Sequence, residues 1–440
     1  MDYQKLIKRA NELGFSGIEV YETKSRNLSL GVFNGNVDKN EFSNTSNISI
    51  RAIFDGKMAN FSLENIDEDI DFVLNNLKAN ALSLTTEEQF VIYPGDKIYP
   101  EVRTDVHDFN SFSNLDKIEL LKTVEKKIKE ADNRIIHVAI CRYSEDESSV
   151  KIVNSLGLDV KKENSFCYLI VQVVASENNE TQSGFELTVK HKISDFNVDE
   201  IVTEVVRKTV SMLNAKPVKS KIYPVIIENK TMADLLATFD SVFNAEAAIK
   251  KITPLVDKEN TQIMSPKITI IDDPLLEEAI FKHPFDDEGV SCYKKMVVEK
   301  GIFKTFLHNL KTAKYFNTKS TGNGFKGGNN IGVSGTNLYI EPGTQSKEDL
   351  INGTDNGLLL TALEGLHSGV NAISGDFSLK ASGYLIEKGE IKRPVTLIVV
   401  AGNFFTMMNN IEEIANDLNM GYNGIGSPSI KFTGLTISGE

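Results

Sequence analysis

The sequence predicts an α+β protein of two domains. Segments with helical apolar spacing alternate with β-branched segments bounded by turn residues, so both element types contribute to the core. At 440 residues the chain exceeds the size at which a single core keeps growing. The glycines divide unevenly, with 8 of 30 at or before residue 215 and 22 after it, so the two halves differ in backbone style. A boundary falls near Lys216, where Asn214-Ala215-Lys216-Pro217 stops a helix. Residues 1–215 then form an N-terminal domain of helices and antiparallel strands with a repeated layout. Residues 216–440 form a C-terminal domain built on a large, mostly antiparallel sheet.

In chain order, residues 2–13 read as an amphipathic helix with Leu6, Ile7 and Ala10 on one face, stopped by Gly14. Strands follow over 17–23, 28–33 and 48–54, with Asn34-Gly35-Asn36 and Asp55-Gly56 as turns. Residues 67–84 are helical, their acids crowding the first turn, where the dipole favours negative charge. Residues 93–114 carry prolines and no sustained period, as a loop does. A helix over 115–131, strands over 135–143, 149–155 and 166–176, and a helix over 198–213 repeat the first layout. Beyond the boundary come a strand over 221–228, a helix over 231–251, a strand over 268–272, a glycine- and asparagine-rich loop over 320–335, and helices over 346–351 and near 408–418. A C-terminal tail ends the chain. Two hairpins share a phrase: Val297-Val298-Glu299-Lys300-Gly301-Ile302 echoes Leu385-Ile386-Glu387-Lys388-Gly389. Glycine in each supplies the positive φ of a short reversal, and the pair predicts a single sheet.

The net charge of −13 and the lack of a Lys/Arg cluster argue against nucleic-acid binding, which needs grouped phosphate contacts. The start of the sequence has charges among its apolar residues, unlike a secretory leader, and no apolar run reaches the ~18 residues that span a bilayer. Three widely spaced cysteines, Cys141, Cys167 and Cys292, suit a reducing compartment. The expectation is a cytoplasmic protein that neither binds nucleic acid nor enters a membrane.

The order FDDEGVSCYKKMVVEKGIF, STGNG, TALEGLHSGVNAISGDFSLKASGYLIEKGEIKRPV, VAGNFFTMMNNIEEIANDL resembles the C-terminal half of the TldD/PmbA family, most closely the PmbA or TldE branch. The resemblance runs from about Phe285 to the end. It implies membership of a metallopeptidase system acting on unfolded or modified peptides, with family links to peptide-antibiotic maturation and to a DNA gyrase modulator. In the TldD branch a His-Glu-x-x-x-His helix and a later Cys hold zinc, and the Glu activates water on the ion. The six histidines here are nowhere closer than 25 residues apart. The places of the two histidines fall near Leu236 and Ser241, and Tyr422–Ile430, YNGIGSPSI, contains no Cys. The expectation is therefore no catalytic residue, metal ligand or cofactor in this chain, with zinc in a TldD-like partner subunit. A homodimer is a further possibility.

Candidate peptide- or partner-binding residues are Asn323 and Gly324, in a loop whose free backbone groups pair with extended peptide, and His367 and Asp376, in loops at the mouth of the second hairpin. Gly322–Gly327 spells GxGxxG, but no helix is expected after it to hold a pyrophosphate. Cys292 with His308 lacks a nucleophile elbow and reads as a buried thiol. Asp286, Asp287 and Glu288 read as a solvated turn, with a divalent-ion contact as the rarer reading. Besides the subunit role, two alternatives stay open: a self-associating, non-proteolytic peptide-binding or maturation protein, and a peptidase with an unconventional metal site. A TldD-like gene beside this one favours the subunit role.

Overall fold

The computed structural model describes residues 2–64, 69–84, 91–102, 107–328 and 330–440. Its first half repeats one layout: α1 (Tyr3–Glu12), β1 (Gly17–Phe33), β2 (Asn36–Phe54), β3 (Lys57–Leu63), α2 (Ile70–Ser83); then α3 (Asn114–Ala131), β4 (Ile135–Asn154), β5 (Asp159–Glu177), β6 (Glu180–Lys190), α4 (Val198–Val210). The strands pair antiparallel in the order β3-β2-β1-β4-β5-β6, so the two repeats meet at β1 and β4. Helices α1 and α2 bury Leu6, Val73, Leu74 and Leu77 on Ile18, Val20 and Ile50. Helices α3 and α4 bury Leu121, Val124, Ile128 and Val205 on Leu28, Leu30 and Leu169.

Between these two cores the strands turn polar but keep pairing, as where Arg26 lies opposite both Asn44 and Glu147. For this reason β1 is one strand where the sequence pattern predicted two, and β4 likewise joins 135–143 to 149–155. Strand β6 was not expected. The start of the helix predicted over 67–84, and residues 103–106 of the predicted loop, lie outside the described residues.

The second half contains β7 (Lys221–Ile227), α5 (Asn229–Phe239), α6 (Ala245–Ile249), β8 (Ile270–Asp272), β9 (Lys295–Glu299), β10 (Ile302–Phe303), α7 (Leu310–Tyr315), β11 (Gly324–Gly327), β12 (Asn330–Val333), β13 (Leu338–Ile340), α8 (Lys347–Asn352), β14 (Asn356–Glu364), β15 (Asp376–Glu387), β16 (Glu390–Asn403), α9 (Phe404–Asn409), β17 (Ile411–Ile414), β18 (Asn419–Met420), β19 (Ile425–Ser427) and β20 (Ile430–Ser438). Strands β16, β15, β14, β7 and β20 pair in succession, and β20 pairs back onto β16, so they close a barrel with β17 outside it. A second sheet runs β10-β9-β8-β13-β19-β18. One apolar core, including Val225, Leu235, Phe239, Ile270, Val298, Leu358, Ile398 and Phe432, joins the barrel to this sheet.

The α+β class and its large, mostly antiparallel sheets are as predicted, with parallel exceptions at β14–β7 and β13–β19. The two Glu-Lys-Gly hairpins, expected in one sheet, fall in different ones: β9–β10 in the second sheet and β15–β16 in the barrel. The helix expected over 231–251 is broken by a tight turn at Asp240–Phe243. The helix expected near 408–418 stops at Asn409 and gives way to β17, and the expected tail is the barrel strand β20. Among the described residues no helix is long and apolar enough to cross a membrane.

Candidate functional site

Helix α5 lies against β19 and β18, so the two stretches that the resemblance sets against the TldD branch's zinc ligands meet in this chain. Their side chains are of another kind. Leu235, Leu236 and Phe239 are fully buried, and Phe239 stacks on Phe404 with ring centroids 4.3 Å apart. Leu236 sits on α5 and Ser241 in the turn beyond it, exposed, so the two do not share a continuous helical face. On β19 the buried Ser427 Oγ donates to Pro428 O at 2.8 Å. The helix start is tied down by Asn229, whose Nδ2 donates to Asp417 O at 2.8 Å, and by Ser429, whose Oγ donates to Asp417 Oδ2 at 2.7 Å. Asp240, at the break, has its carboxyl pushed up to about 6 by burial. A leucine has no lone pair, Ser427 Oγ is spent on its neighbour's carbonyl, and among the described residues no group of three or more His, Cys, Asp or Glu side chains is placed to hold a metal ion. These residues do not fit a zinc ion.

The loop before and through β11 is a buried network, and here two expectations drawn from the sequence are corrected. Asn323 is fully buried and all four side-chain hydrogen bonds are made within the chain. Its Oδ1 accepts from Lys295 Nζ at 3.1 Å and Thr321 Oγ1 at 2.7 Å, and its Nδ2 donates to Asp272 Oδ2 and Ser334 O, both at 2.9 Å. Gly324, also buried, donates its N–H to Asp286 Oδ2 at 2.8 Å and accepts from Asp287 N–H at 2.8 Å. Neither residue offers a free group to a peptide, because the edge of β11 is already satisfied by two carboxylates and a loop N–H. Residue 329 of the expected loop lies outside the described residues, and the rest forms the β11–β12 hairpin.

Asp272 centres this network. Its Oδ1 accepts from Thr336 N and Oγ1 at 2.7 and 2.8 Å, and its Oδ2 from Lys295 Nζ at 2.9 Å. Burial works to raise its carboxyl, but Lys295 and the hydrogen bonds from Asn323 and Thr336 outweigh it and hold it below the usual range. Cys292 donates to Gly322 O at 3.1 Å, and burial pushes its thiol up and out of reach of ionisation. His308 Nδ1 lies 3.3 Å from Thr312 Oγ1, and burial lowers the ring to about 4, so it is neutral and structural.

Asp286, Asp287 and Glu288 are buried rather than solvated. Lys162, from β5, lies 3.1 Å from Asp287 and its Nζ donates to Phe285 O at 3.0 Å, which joins the two halves of the chain. Neither Lys162 nor Lys295 stood out in the sequence, because a single lysine carries no signal of a distant partner. His367 and Asp376 lie apart from this network, His367 in the connection between β14 and β15 and Asp376 at the start of β15. His367 is exposed. Asp376 accepts from Asn403 Nδ2 at 2.9 Å and Ser374 Oγ at 2.8 Å, and these two bonds lower its carboxyl. A bridge between Val370 and Phe377 sets the segment after His367 alongside the start of β15, at the rim where that connection meets the barrel, while Asn323 and Gly324 are buried elsewhere.

Residues 18–81, 107–213 and 220–439 match, in turn, the PmbA/TldA metallopeptidase domain 1, the PmbA/TldA metallopeptidase central domain and the PmbA/TldA metallopeptidase C-terminal domain. The chain belongs to the PmbA/TldD family. A "Metalloprotease PmbA homolog" from Buchnera aphidicola is 26% identical over 99% of this chain and 95% of its own length. "Metalloprotease PmbA" of Escherichia coli O157:H7 is 29% identical over 73% of this chain and 70% of its own. Among solved PmbA/TldD-type structures, one from Thermotoga maritima that carries the name of a DNA gyrase modulator superposes with a TM-score of 0.92 at 31% identity, covering 99% of both chains. TldE from Thermococcus kodakarensis superposes at 0.89 with 25% identity, covering 99% of this chain and all of that one.

Proposed function

We propose that the chain is the PmbA/TldE-type subunit of a TldD/TldE-type metalloprotease system in the cytoplasm, acting on unfolded or modified peptides beside a TldD-like subunit that carries the zinc. The observation behind this reading is the packing of α5 against β19: the family scaffold is kept, while Leu236 and Ser241, the places that the resemblance implies for the two histidines, and the Cys-free stretch 422–430 offer no imidazole or thiolate. The names of the curated relatives and of the T. kodakarensis structure support the same branch. In this role the chain supplies walls and positioning to a shared chamber, and the rim bearing His367 and Asp376 is the surface offered to peptide or partner.

The test is a mixing assay with an unstructured peptide. Alone, the chain cleaves neither folded nor unfolded polypeptide and retains well under one zinc per chain after dialysis. Added to a TldD-like subunit, it raises the rate of peptide cleavage, and a chelator abolishes that rate. Chelator-insensitive cleavage by this chain alone, or an unchanged partner rate on mixing, would overturn the assignment.

A further inference from the structure

The loop at residues 285–291 fastens the C-terminal half to the face of the first sheet opposite its helices. Phe285 packs with Tyr21, Ile152 and Leu158. Tyr99 donates its hydroxyl to Gly289 O at 2.7 Å, and Ser291 N–H donates to Asp96 Oδ2 at 2.7 Å. Asp287 is met by Lys162, by the Lys326 N–H at 2.9 Å and by the Tyr21 hydroxyl. Among the described residues two carboxyls in this junction form no ion pair, Lys162 and Arg51 acting on them only from a distance. Asp286, fully buried, accepts only N–H groups, from Glu288, Val290 and Gly324 at 3.0, 2.9 and 2.8 Å. Glu288 Oε2 accepts the Leu310 N–H at 2.7 Å, and its carboxyl fills the space beside Gly324, where a Cβ would come within 2.5 Å of Oε2. The neighbouring cations make their contacts with other groups: Arg51 Nε pairs with Glu19 at 2.6 Å, its field reaching Glu288 without a hydrogen bond, and Lys326 Nζ sits over the Tyr21 ring at 4.0 Å.

Two adjacent carboxylates cannot both be charged in such a place without a large desolvation and repulsion cost, whereas a loop undocked into water ionises freely. We propose that residues 285–291 form a proton-held latch between the two halves of the chain, closed while the Asp286–Glu288 pair retains a proton and loosened when that proton is lost.

The direction follows from linkage. Burial first, and then Asp286, push Glu288 up to about 8 from its ordinary 4.5, and burial raises Asp286 to about 6. The docked state therefore binds a proton that the undocked state has released, and docking weakens as pH rises through the interval between those values. Other groups facing the loop act in other intervals. Burial lowers His283 to about 3 and His308 to about 4, so both favour docking as pH rises only until about 6.5. Burial lowers Lys326 to about 8, so its contribution begins above that pH. Asp287 is held below the usual range, as Lys162 and hydrogen bonds outweigh burial, and it matters only in acid. Burial raises Tyr21, Tyr93, Tyr99 and Cys292, which stay neutral. Between pH 6.5 and 8 Glu288 is left as the group that moves.

Amide hydrogen exchange of the whole chain, corrected for intrinsic rates, reads the latch at residues 286–291, 310 and 324. Well below pH 8 each pH unit is a factor of ten in the opening equilibrium, and the slope eases as Glu288 itself titrates in the docked state, so protection in the unmodified chain falls by about 15-fold from pH 6.5 to 8. Glu288→Gln, a neutral amide in place of the protonated acid, removes that slope and leaves protection at pH 8 higher than in the unmodified chain. Equal slopes in the two proteins would overturn the proposal. Should the variant fail to fold, carbon NMR of glutamate carboxyls in the unmodified chain decides: one glutamate titrating near pH 8 supports the latch, and titration of every glutamate below about pH 5.5 sinks it.

Discussion

Asn323 uses both lone pairs and both N–H groups on partners inside the chain, and its partners depend on it in turn. Removing the amide leaves Lys295 and Asp272 a buried ion pair stripped of shared hydrogen bonds. Asn323→Ala is expected to cost about 3 kcal/mol, measured as a lower urea midpoint with an unchanged slope. A variant of native stability would return Asn323 to the role of a surface contact. The composition around it, Thr-Gly-Asn-Gly, is that of an exposed turn, so the sequence could not reveal its place. What buries it is Asp272, 51 residues before, and Lys295, 28 before. The same reason hid Asp286, Asp287 and Glu288: three acids in a row read as solvated unless the lysine from β5 and the N–H groups of β11 are already known to lie beside them.

Helices whose apolar residues recur at one spacing were legible throughout, as with Leu121, Val124 and Ile128 on α3. So was the β15–β16 hairpin, whose turn has Lys388 and Gly389 at φ 55° and 75°. Elements failed to show where tertiary contacts override local pattern. Strands β1 and β4 run unbroken through polar residues because their neighbours go on pairing, and α5 ends at Phe239 although apolar residues continue beyond it. The apolar face of α5 is nevertheless where its energy lies. Leu236→Ala, which opens a cavity in a fully packed core, is expected to lower stability by about 2–5 kcal/mol. The fraction of this variant that remains folded should still stimulate a TldD-like partner to the normal extent, since Leu236 packs and performs no chemistry. Normal stability combined with lost stimulation would contradict that division.

At the scale of the whole molecule the two halves differ in how they can associate. The C-terminal half carries exposed Leu397 and Val399 on β16 and exposed Ile222 on β7, on either side of β20 in the barrel. A dimer formed through this half is the expected state, and sedimentation that finds a stable monomer at micromolar concentration would count against it. The barrel itself has a consequence for how the chain is made. Its closing strand, β20, is the last in the sequence, yet it pairs with β7, the first strand of that half, and the Glu440 N–H donates to Val218 O at 3.0 Å. During synthesis the first sheet can assemble from neighbouring hairpins as each emerges, but β7 must wait for β14 on one side and for almost the entire second half to leave the ribosome before its other partner, β20, exists. In that interval Val225, Ile226 and Ile227 form an uncovered apolar edge, and the nascent chain in this state is a natural client for a chaperone.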